Sequence, residues 1–430
     1  MRTYFTKLLL GFKDEDIIIK NFIEKNDVIE IDLMLKTNIQ ECPACSHKTT
    51  YVHDYRKRSF KHGKTNGYFL TINYFRRRYV CKECSKRFPE KNTFVDRYAK
   101  ISNQLNNLLI KQLKDKVTFK QIAKDNNVSS STVIRRFDKH FDIDKLILPN
   151  VISIDEFKKS NSNSKMGKYA LAIADPINKK IFDIIPNRRK NEFNDYLEKI
   201  PVNIKNNVNT VIIDMWEPYR DLTYKHFPNA NLVIDRFHFI RNVIWWFNDI
   251  RIKAMNSYNT NQKGYRILKK YNKLLIKNPN SISSTYSHSN YWKKLMSQKS
   301  IIDECLNLDQ DLNYAYKLYE YFQKNTGKPF KSYDEAVKFI DEYVQLLFDS
   351  KLHNSQELAS MFINWKKEIA NSLSRTLVIN NVEKRYTNGF IEGVNNYIKT
   401  FRRMCFNIRN FDRFKTRIIT TFNKQFLIKA

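Results

Sequence analysis

The chain has 430 residues, with 76 Lys and Arg against 44 Asp and Glu. The resulting charge of +32 and pI near 9.7 point to a polyanionic partner. With 42% hydrophobic and 14% aromatic residues it is expected to fold throughout, as several domains rather than one core. No apolar run is long enough for a bilayer, Leu8-Leu9-Leu10 is too short for a signal peptide, and six cysteines are too few for a disulfide framework, so a reducing cytoplasm is expected. Lys, Asn and Ile are abundant everywhere, as an AT-rich coding sequence gives. Arg, however, clusters in Arg76-Arg77-Arg78, Arg188-Arg189 and Arg402-Arg403, and these clusters should drive salt-sensitive nucleic-acid binding.

The first segment, residues 1–95, opens with a strand pattern at Val28 to Leu33 that puts Ile29, Ile31 and Leu33 on one face. Cys42-Pro43-Ala44-Cys45 and Cys81-Lys82-Glu83-Cys84 follow, separated by strand-like runs at Phe69 to Phe75 and Tyr79-Val80, with a turn expected at His62-Gly63-Lys64. Two knuckles of paired thiolates on a small antiparallel sheet suit a tetrahedral structural zinc ion; buried, inert cysteines would not need the same spacing twice. Cys305 and Cys405 stand alone and read as core residues.

Residues 100–145 read as a helix-turn-helix. Thr118 to Gln121 forms a capping box, Asn126-Asn127-Val128-Ser129 makes the turn, and Ser129 caps a second helix that buries Val133 and Phe137. Ser130, Ser131, Thr132, Arg135 and Arg136 at its start and on its polar side suit entry into the major groove of double-stranded DNA; the plainer alternative is a helical hairpin with a solvated basic face.

From residue 150 the pattern changes to a meander of strands at Val151 to Asp155, Tyr169 to Asp175 and Lys180 to Ile185. A helix from Asn191 to Lys199 follows, then strand Thr210 to Asp214, helix Pro218 to His226, strand Asn231 to Asp235 and a long helix from about Phe237. This order predicts a multidomain α/β protein whose residues 150–240 form the first part of an RNase H-like domain, with the first and fourth strands adjacent. Residues 241–385 read as an all-helical insertion, whose aromatics at Trp245-Trp246-Phe247 and Tyr314 to Tyr321 either pack its core or stack on unpaired bases. Residues 386–430 resume the domain as helices, the last of them basic.

Asp155 and Asp214 each end an apolar strand, and Glu392 lies in a late helical segment; acids in such places are costly to gather unless a divalent cation collects them. Two magnesium or manganese ions would stabilise the attacking and leaving oxygens of a phosphodiester transfer, with Asp155 bridging and Asp214 and Glu392 each taking one ion. Lys399, seven residues after Glu392, shares its helical face and is expected at a DNA phosphate, with Arg402 and Arg403 beyond it.

The paired knuckles, Ser153-Ile154-Asp155-Glu156-Phe157, Ile213-Asp214-Met215-Trp216-Glu217-Pro218-Tyr219, Asp235-Arg236-Phe237-His238 and Asn388 to Asn396 with Lys399 together resemble the DDE transposases of bacterial insertion sequences, in particular the ISL-three group. The resemblance implies that Asp155, Asp214 and Glu392 form the catalytic triad of an enzyme that excises or joins element ends with magnesium in the bacterial cytoplasm, at the nucleoid. It also implies end recognition by the ribbon and helix-turn-helix, and a homodimer or larger synaptic complex. Asp235 and His238 match a D-x-x-H signature and are expected to organise the edge of the site. Ser46 and Ser85 depart from the glycine frequent at those ribbon positions. Two rival readings are a non-catalytic DNA-binding regulator from a decayed element and an RNase H-like structure-specific nuclease.

Overall fold

The computed structural model describes residues 10–11, 17–141, 148–159, 167–379, 381–405, 408 and 410–423. The chain forms two compact units, Met1–Lys145 with Tyr397–Ala430, and Leu146–Asn396.

The strands of the first unit are β1 (Ile17–Lys25), β2 (Val28–Leu35), β3 (Gln40–Glu41), β4 (Lys48–Thr49), β5 (Val52–Thr65), β6 (Tyr68–Val80) and β7 (Arg87–Pro89). The main sheet runs β1-β2-β6-β5, with β7 on the end of β6. It is mixed rather than antiparallel, because β2 and β6 pair in parallel, Ile31 opposite Ile72. The inward residues Ile31, Leu33, Phe60, Ile72 and Tyr74 form its core. His62-Gly63-Lys64 is not a turn: it lies within β5, where a register shift between Lys61 and Gly63 absorbs the extra residue as a bulge. The reversal is instead at Asn66-Gly67, whose φ values of 48° and 91° are those a tight hairpin requires.

This sheet also uses up the first arginine cluster. Arg77 points inward at 3% exposure and pairs with Glu90 at 3.2 Å, Arg78 pairs with Asp54 at 2.7 Å, and Arg76 donates to the Glu90 carbonyl. Strand alternation, invisible in the charge count, turns Arg77 inward while Arg76 and Arg78 stay half-exposed on the other face, so the run does not present three free guanidinium groups on one surface.

Helices Asn103–Gln112, Phe119–Asp125 and Ser130–His140 follow, around Leu105, Leu109, Ile122, Val133 and Phe137. Thr118 and Ser129 cap the second and third. The expected capping box is only half formed, since Gln121 turns away to donate to Asp125. The turn contains Asn127 at φ 49°, a left-handed position that Asn tolerates. The last helix of the unit, Phe411–Asn423, is tied to this trihelical head. Arg417, 1% exposed, donates to the carbonyls of Asp115 and Val117 and lies 5.1 Å from the Phe119 ring centroid, while Arg413 pairs with Asp138 at 2.8 Å.

In the second unit β8 (Val151–Lys158), β9 (Tyr169–Asp175), β10 (Lys180–Ile185), β11 (Thr210–Ile213) and β12 (Asn231–Ile234) form one sheet in the order β10-β9-β8-β11-β12. The first three strands are an antiparallel meander, and β11 lies parallel between β8 and β12. This is the strand order of an RNase H-like domain, and it makes the first and fourth strands neighbours. Helices Lys190–Glu198 and Glu217–His226 pack Phe193, Leu197, Tyr219 and Leu222 on the sheet, and the long helix Arg236–Asn256 carries the same core into the helical region.

That region is not all helical. Its helices are accompanied by two hairpins, β13 (Ser287–Ser289) with β14 (Lys294–Met296), and β15 (Thr376–Ile379) with β16 (Val382–Arg385). The β-branched residues Thr376, Val378 and Ile379 favour an extended chain there, and Asn381 at φ 61° supports the reversal. No helix among the described residues is long and apolar enough to cross a membrane.

Candidate active site

Strand register brings the acids together. Thr210 pairs with Val151, Val211 with Ile152 and Ile212 with Ser153, so Asp214, one residue beyond β11, falls level with Asp155 in β8. On the other side Ile213 pairs with Ile234, which sets Asp235 level with Asp214. Asp214 and Asp235 thus each follow the last residue of a parallel strand, and Asp155 lies level with them inside the neighbouring β8, which continues to Lys158 against β9.

Asp155 carries the electrostatic signature of this crowding. Burial raises its carboxyl to about 7, with repulsion from Asp214 and, more weakly, Glu156 and Glu392 adding to the rise against one backbone hydrogen bond. Glu392, which is exposed, is therefore close enough to Asp155 to be felt.

The helix Gly389–Met404 and the residue before it each supply one contact to the aspartates. Asn388, just before it, donates Nδ2 to Asp214 Oδ1 at 2.9 Å, and Asn395 donates Nδ2 to Asp155 Oδ2 at 2.7 Å. Asn388, Glu392 and Asn395 follow at four- and three-residue spacing and so share one helical face, with the glutamate between the two amides. The amides are 1% and 5% exposed, and no donor among the described residues reaches either Oδ1.

Asp214 Oδ1 also receives His238 Nε2 at 2.9 Å. His238 Nδ1 faces an Arg241 guanidinium nitrogen at 3.4 Å, which can only donate, so in the neutral ring Nε2 carries the proton toward Asp214. Burial opposes a charge on His238, but Asp214 outweighs it and leaves the imidazole above its ordinary value. Asp235 has a different task. One oxygen caps the helix Arg236–Asn256 through the Phe237 N–H, and the other accepts the Asn388 N–H at 2.8 Å, so it joins the strand end to the start of the late helix. Glu156 is held by Arg188 at 2.6 Å, whose guanidinium lies 4.3 Å from the Tyr169 ring and 5.7 Å from that of Trp216.

The donor set fits a pair of hard cations: carboxylates that repel one another, with that of Asp155 raised to about 7, beside two buried amide oxygens that no donor among the described residues reaches. Among the His, Cys, Asp and Glu side chains of the described residues, one group has every ligand atom within 4.8 Å of the others, Cys42, Cys45, Cys81 and Cys84; Asp155, Asp214 and Glu392 are not gathered as tightly.

In the cysteine group all sulfurs lie within 4.8 Å of one another, and three separations between the knuckles, of 3.4 to 3.6 Å, approach the ~3.8 Å that four tetrahedral Zn–S bonds impose. Each knuckle closes through a following serine in the left-handed region, Ser46 at φ 59° and Ser85 at φ 53°. Serine thus takes the turn that glycine takes most easily, without moving the thiols out of reach. Burial opposes ionisation of Cys42, but the backbone N–H groups of Ala44 and Cys45 favour the thiolate and bring it down to about 7.

Of the other expected contact residues, Ser131 and Arg135 are exposed on the helix Ser130–His140, and Ser130, Thr132 and Arg136 are half-buried. Lys399, Arg402 and Arg403 belong to the Tyr397–Ala430 segment of the first unit; Lys399 and Arg403 are exposed and Arg402 half-buried. The sequence reading did not assign the amides of Asn388 and Asn395 or the Glu156–Arg188 pair. The Asn-x-x-x-Glu-x-x-Asn spacing around Glu392 was the signal available for the first.

Comparison with known proteins gives a consistent result along the chain. The ISL3 catalytic-domain model, described as a transposase, matches residues 152–418. The zinc-finger model of transposases IS204/IS1001/IS1096/IS1165 matches residues 40–84, and the helix-turn-helix model of transposase family ISL3 matches residues 90–140. The transposase for insertion sequence element IS1001 of Bordetella parapertussis is 21% identical over 405 residues, covering 92% of this chain and 91% of that protein.

Proposed function

The chain belongs to the ISL3 transposase family, and from that premise we propose that it binds the terminal inverted repeats of an insertion sequence and catalyses DNA strand cleavage and strand transfer with Asp155, Asp214 and Glu392. The observation that carries this reading is the level pairing of Asp155 with Asp214 on adjacent strands, with Glu392 close enough to raise the Asp155 carboxyl.

Two magnesium or manganese ions bound by these three carboxylates would supply Lewis-acid stabilisation to the attacking and leaving oxygens. The protein's own part is positional. Asn388 and His238 fix the Asp214 carboxylate, Asn395 fixes that of Asp155, and Asp235 ties the late helix to the strand ends. Water attacks the phosphodiester at the element end and releases a 3′-hydroxyl, which then attacks a target phosphodiester in line, with no covalent protein intermediate. The cysteine ribbon holds structural zinc. The helix-turn-helix reads the element end through Ser130, Ser131, Thr132, Arg135 and Arg136, while Lys399, Arg402 and Arg403 bind phosphates. Two ends must be held at once, so the working form is a homodimer or larger complex on DNA.

The test is a strand-transfer assay with a terminal-repeat duplex and a target plasmid. Wild-type protein with magnesium should cleave the duplex and yield joined product, and Asp155→Asn should lose both while binding the duplex within about twofold of wild type. Cleavage by Asp155→Asn, or cleavage without joining by the wild type, overturns the proposal.

A further inference from the structure

The helix Arg236–Asn256 begins at the acid site, where His238 meets Asp214, and leads away from it along a surface of unusual composition. Phe237, Arg241 and Trp245 follow at four-residue spacing on one face. The Arg241 guanidinium is 5.3 Å from the Phe237 ring centroid and 4.5 Å from that of Trp245. Phe237 is 58% exposed and Trp245 55%, whereas the adjacent Trp246 and Phe247 are 4% and 0%. The helix therefore has a well-satisfied core face, and core packing does not account for the two outward rings.

Trp245 also borders a cleft of about 220 Å³ whose lining includes Asn242, Asp249, Asn354, Glu357 and Met361. The chemistry of this cleft is selective. A flat aromatic ring offers a stacking surface, two amides offer both donors and acceptors, and two carboxylates accept hydrogen bonds while repelling a phosphate. A nucleobase fits that description better than a backbone segment. Adenine, cytosine and guanine carry exocyclic amines that donate to carboxylates, whereas thymine offers one ring N–H flanked by two carbonyl oxygens. Trp245 is seven residues beyond His238, about 10 Å along the helix axis, or roughly three base steps of B-form DNA.

We propose that this cleft takes one unpaired nucleobase of the DNA strand engaged at the acid site, stacked on Trp245 and favouring adenine or cytosine over thymine. Arg241, between the two exposed rings and against His238, faces the phosphate of that nucleotide. The inference rests on the reading of the acid site as a DNA strand-cleaving centre, but its test reads binding alone.

Full-length protein, without added magnesium and without a chelator that would strip zinc, is titrated with a blunt duplex and with the same duplex bearing a short unpaired dA, dC or dT tail. Wild type should bind the dA- and dC-tailed forms about fivefold or more tighter than the blunt one, with a smaller gain for dT. Trp245→Ala should bring every tailed-to-blunt ratio to about one, and Trp245→Phe should keep most of the gain. Asp249→Asn with Glu357→Gln should erase the preference over dT while retaining stacking. A wild type with no tail preference, or a Trp245→Ala variant that keeps it, overturns the proposal. Because binding to the helix-turn-helix cancels in the ratio, these outcomes are independent of whether Asp155→Asn abolishes cleavage.

Discussion

Removing the charge of Asp155 should stabilise the protein when no divalent cation is present and forfeit stabilisation when one is. Its carboxyl is raised from an ordinary 3.8 to about 7, chiefly by burial and by Asp214. At about 1.4 kcal/mol per tenfold change in proton affinity, that rise corresponds to a ceiling of about 4 kcal/mol against the ionised form. Solvent reaches part of the side chain, and screening reduces the figure to about 2 kcal/mol. The sign follows from proton counting. Between pH 3.8 and 7 the folded state binds more protons at this site than the unfolded state, so stability falls as pH rises through that window, and the penalty is complete above 7. Asparagine has no such penalty. Its new amide also finds a partner, because Asn395, now donating to Asp155 Oδ2 at 2.7 Å, can rotate to present its unpartnered Oδ1. Thermal unfolding of wild type and Asp155→Asn, without added divalent ions, should therefore show the variant more stable by about 2 kcal/mol at pH 8, with the gap closing as pH falls toward 4. Magnesium at about a hundred times its dissociation constant should raise wild type by about 2.7 kcal/mol and leave the variant nearly unmoved, inverting the order. A variant no more stable at pH 8, or equal stabilisation of both proteins by magnesium, refutes the reasoning.

Asn395→Asp replaces a donor to Asp155 with another acid and should lower the melting temperature at pH 8 but much less at pH 5, as read by scanning calorimetry. Cys45→Ser should release zinc, measured with a metal-sensitive dye, and should expose the segment between Gln40 and Pro89 to protease while leaving the Leu146–Asn396 unit intact. Arg417→Met keeps the bulk of a fully buried side chain but leaves the Asp115 and Val117 carbonyls without their donor. A loss of about 1–3 kcal/mol is expected, visible as faster amide exchange across Asn103–His140.

The sequence allowed the central sheet to be read closely, because strands buried on both faces leave near-continuous apolar runs, and Val151 to Ile154, Val211 to Ile213 and Leu232 to Ile234 are such runs. Their acids were legible for the same reason, since a charge ending a buried strand stands out. What orients those acids was not legible. Asn388 and Asn395 meet partners 174 and 240 residues earlier in the chain, and their spacing about Glu392 sets them on its helical face without saying which acids they meet. Charge patterning misled in a related way: Arg77 reads as a basic surface but is an inward residue satisfied by Glu90. Glycine also misled at His62-Gly63-Lys64, because it serves bulges as well as turns.

The burial of Arg417 against Asp115, Val117 and Phe119 has a consequence for biosynthesis. Some three hundred residues separate these partners in the chain, and a ribosome emits them in order. The trihelical head is thus left without this brace until Arg417 has emerged, after the acid-bearing unit. A polypeptide that stops short of residue 417 lacks that brace, so its trihelical head is expected to be looser than that of a longer one.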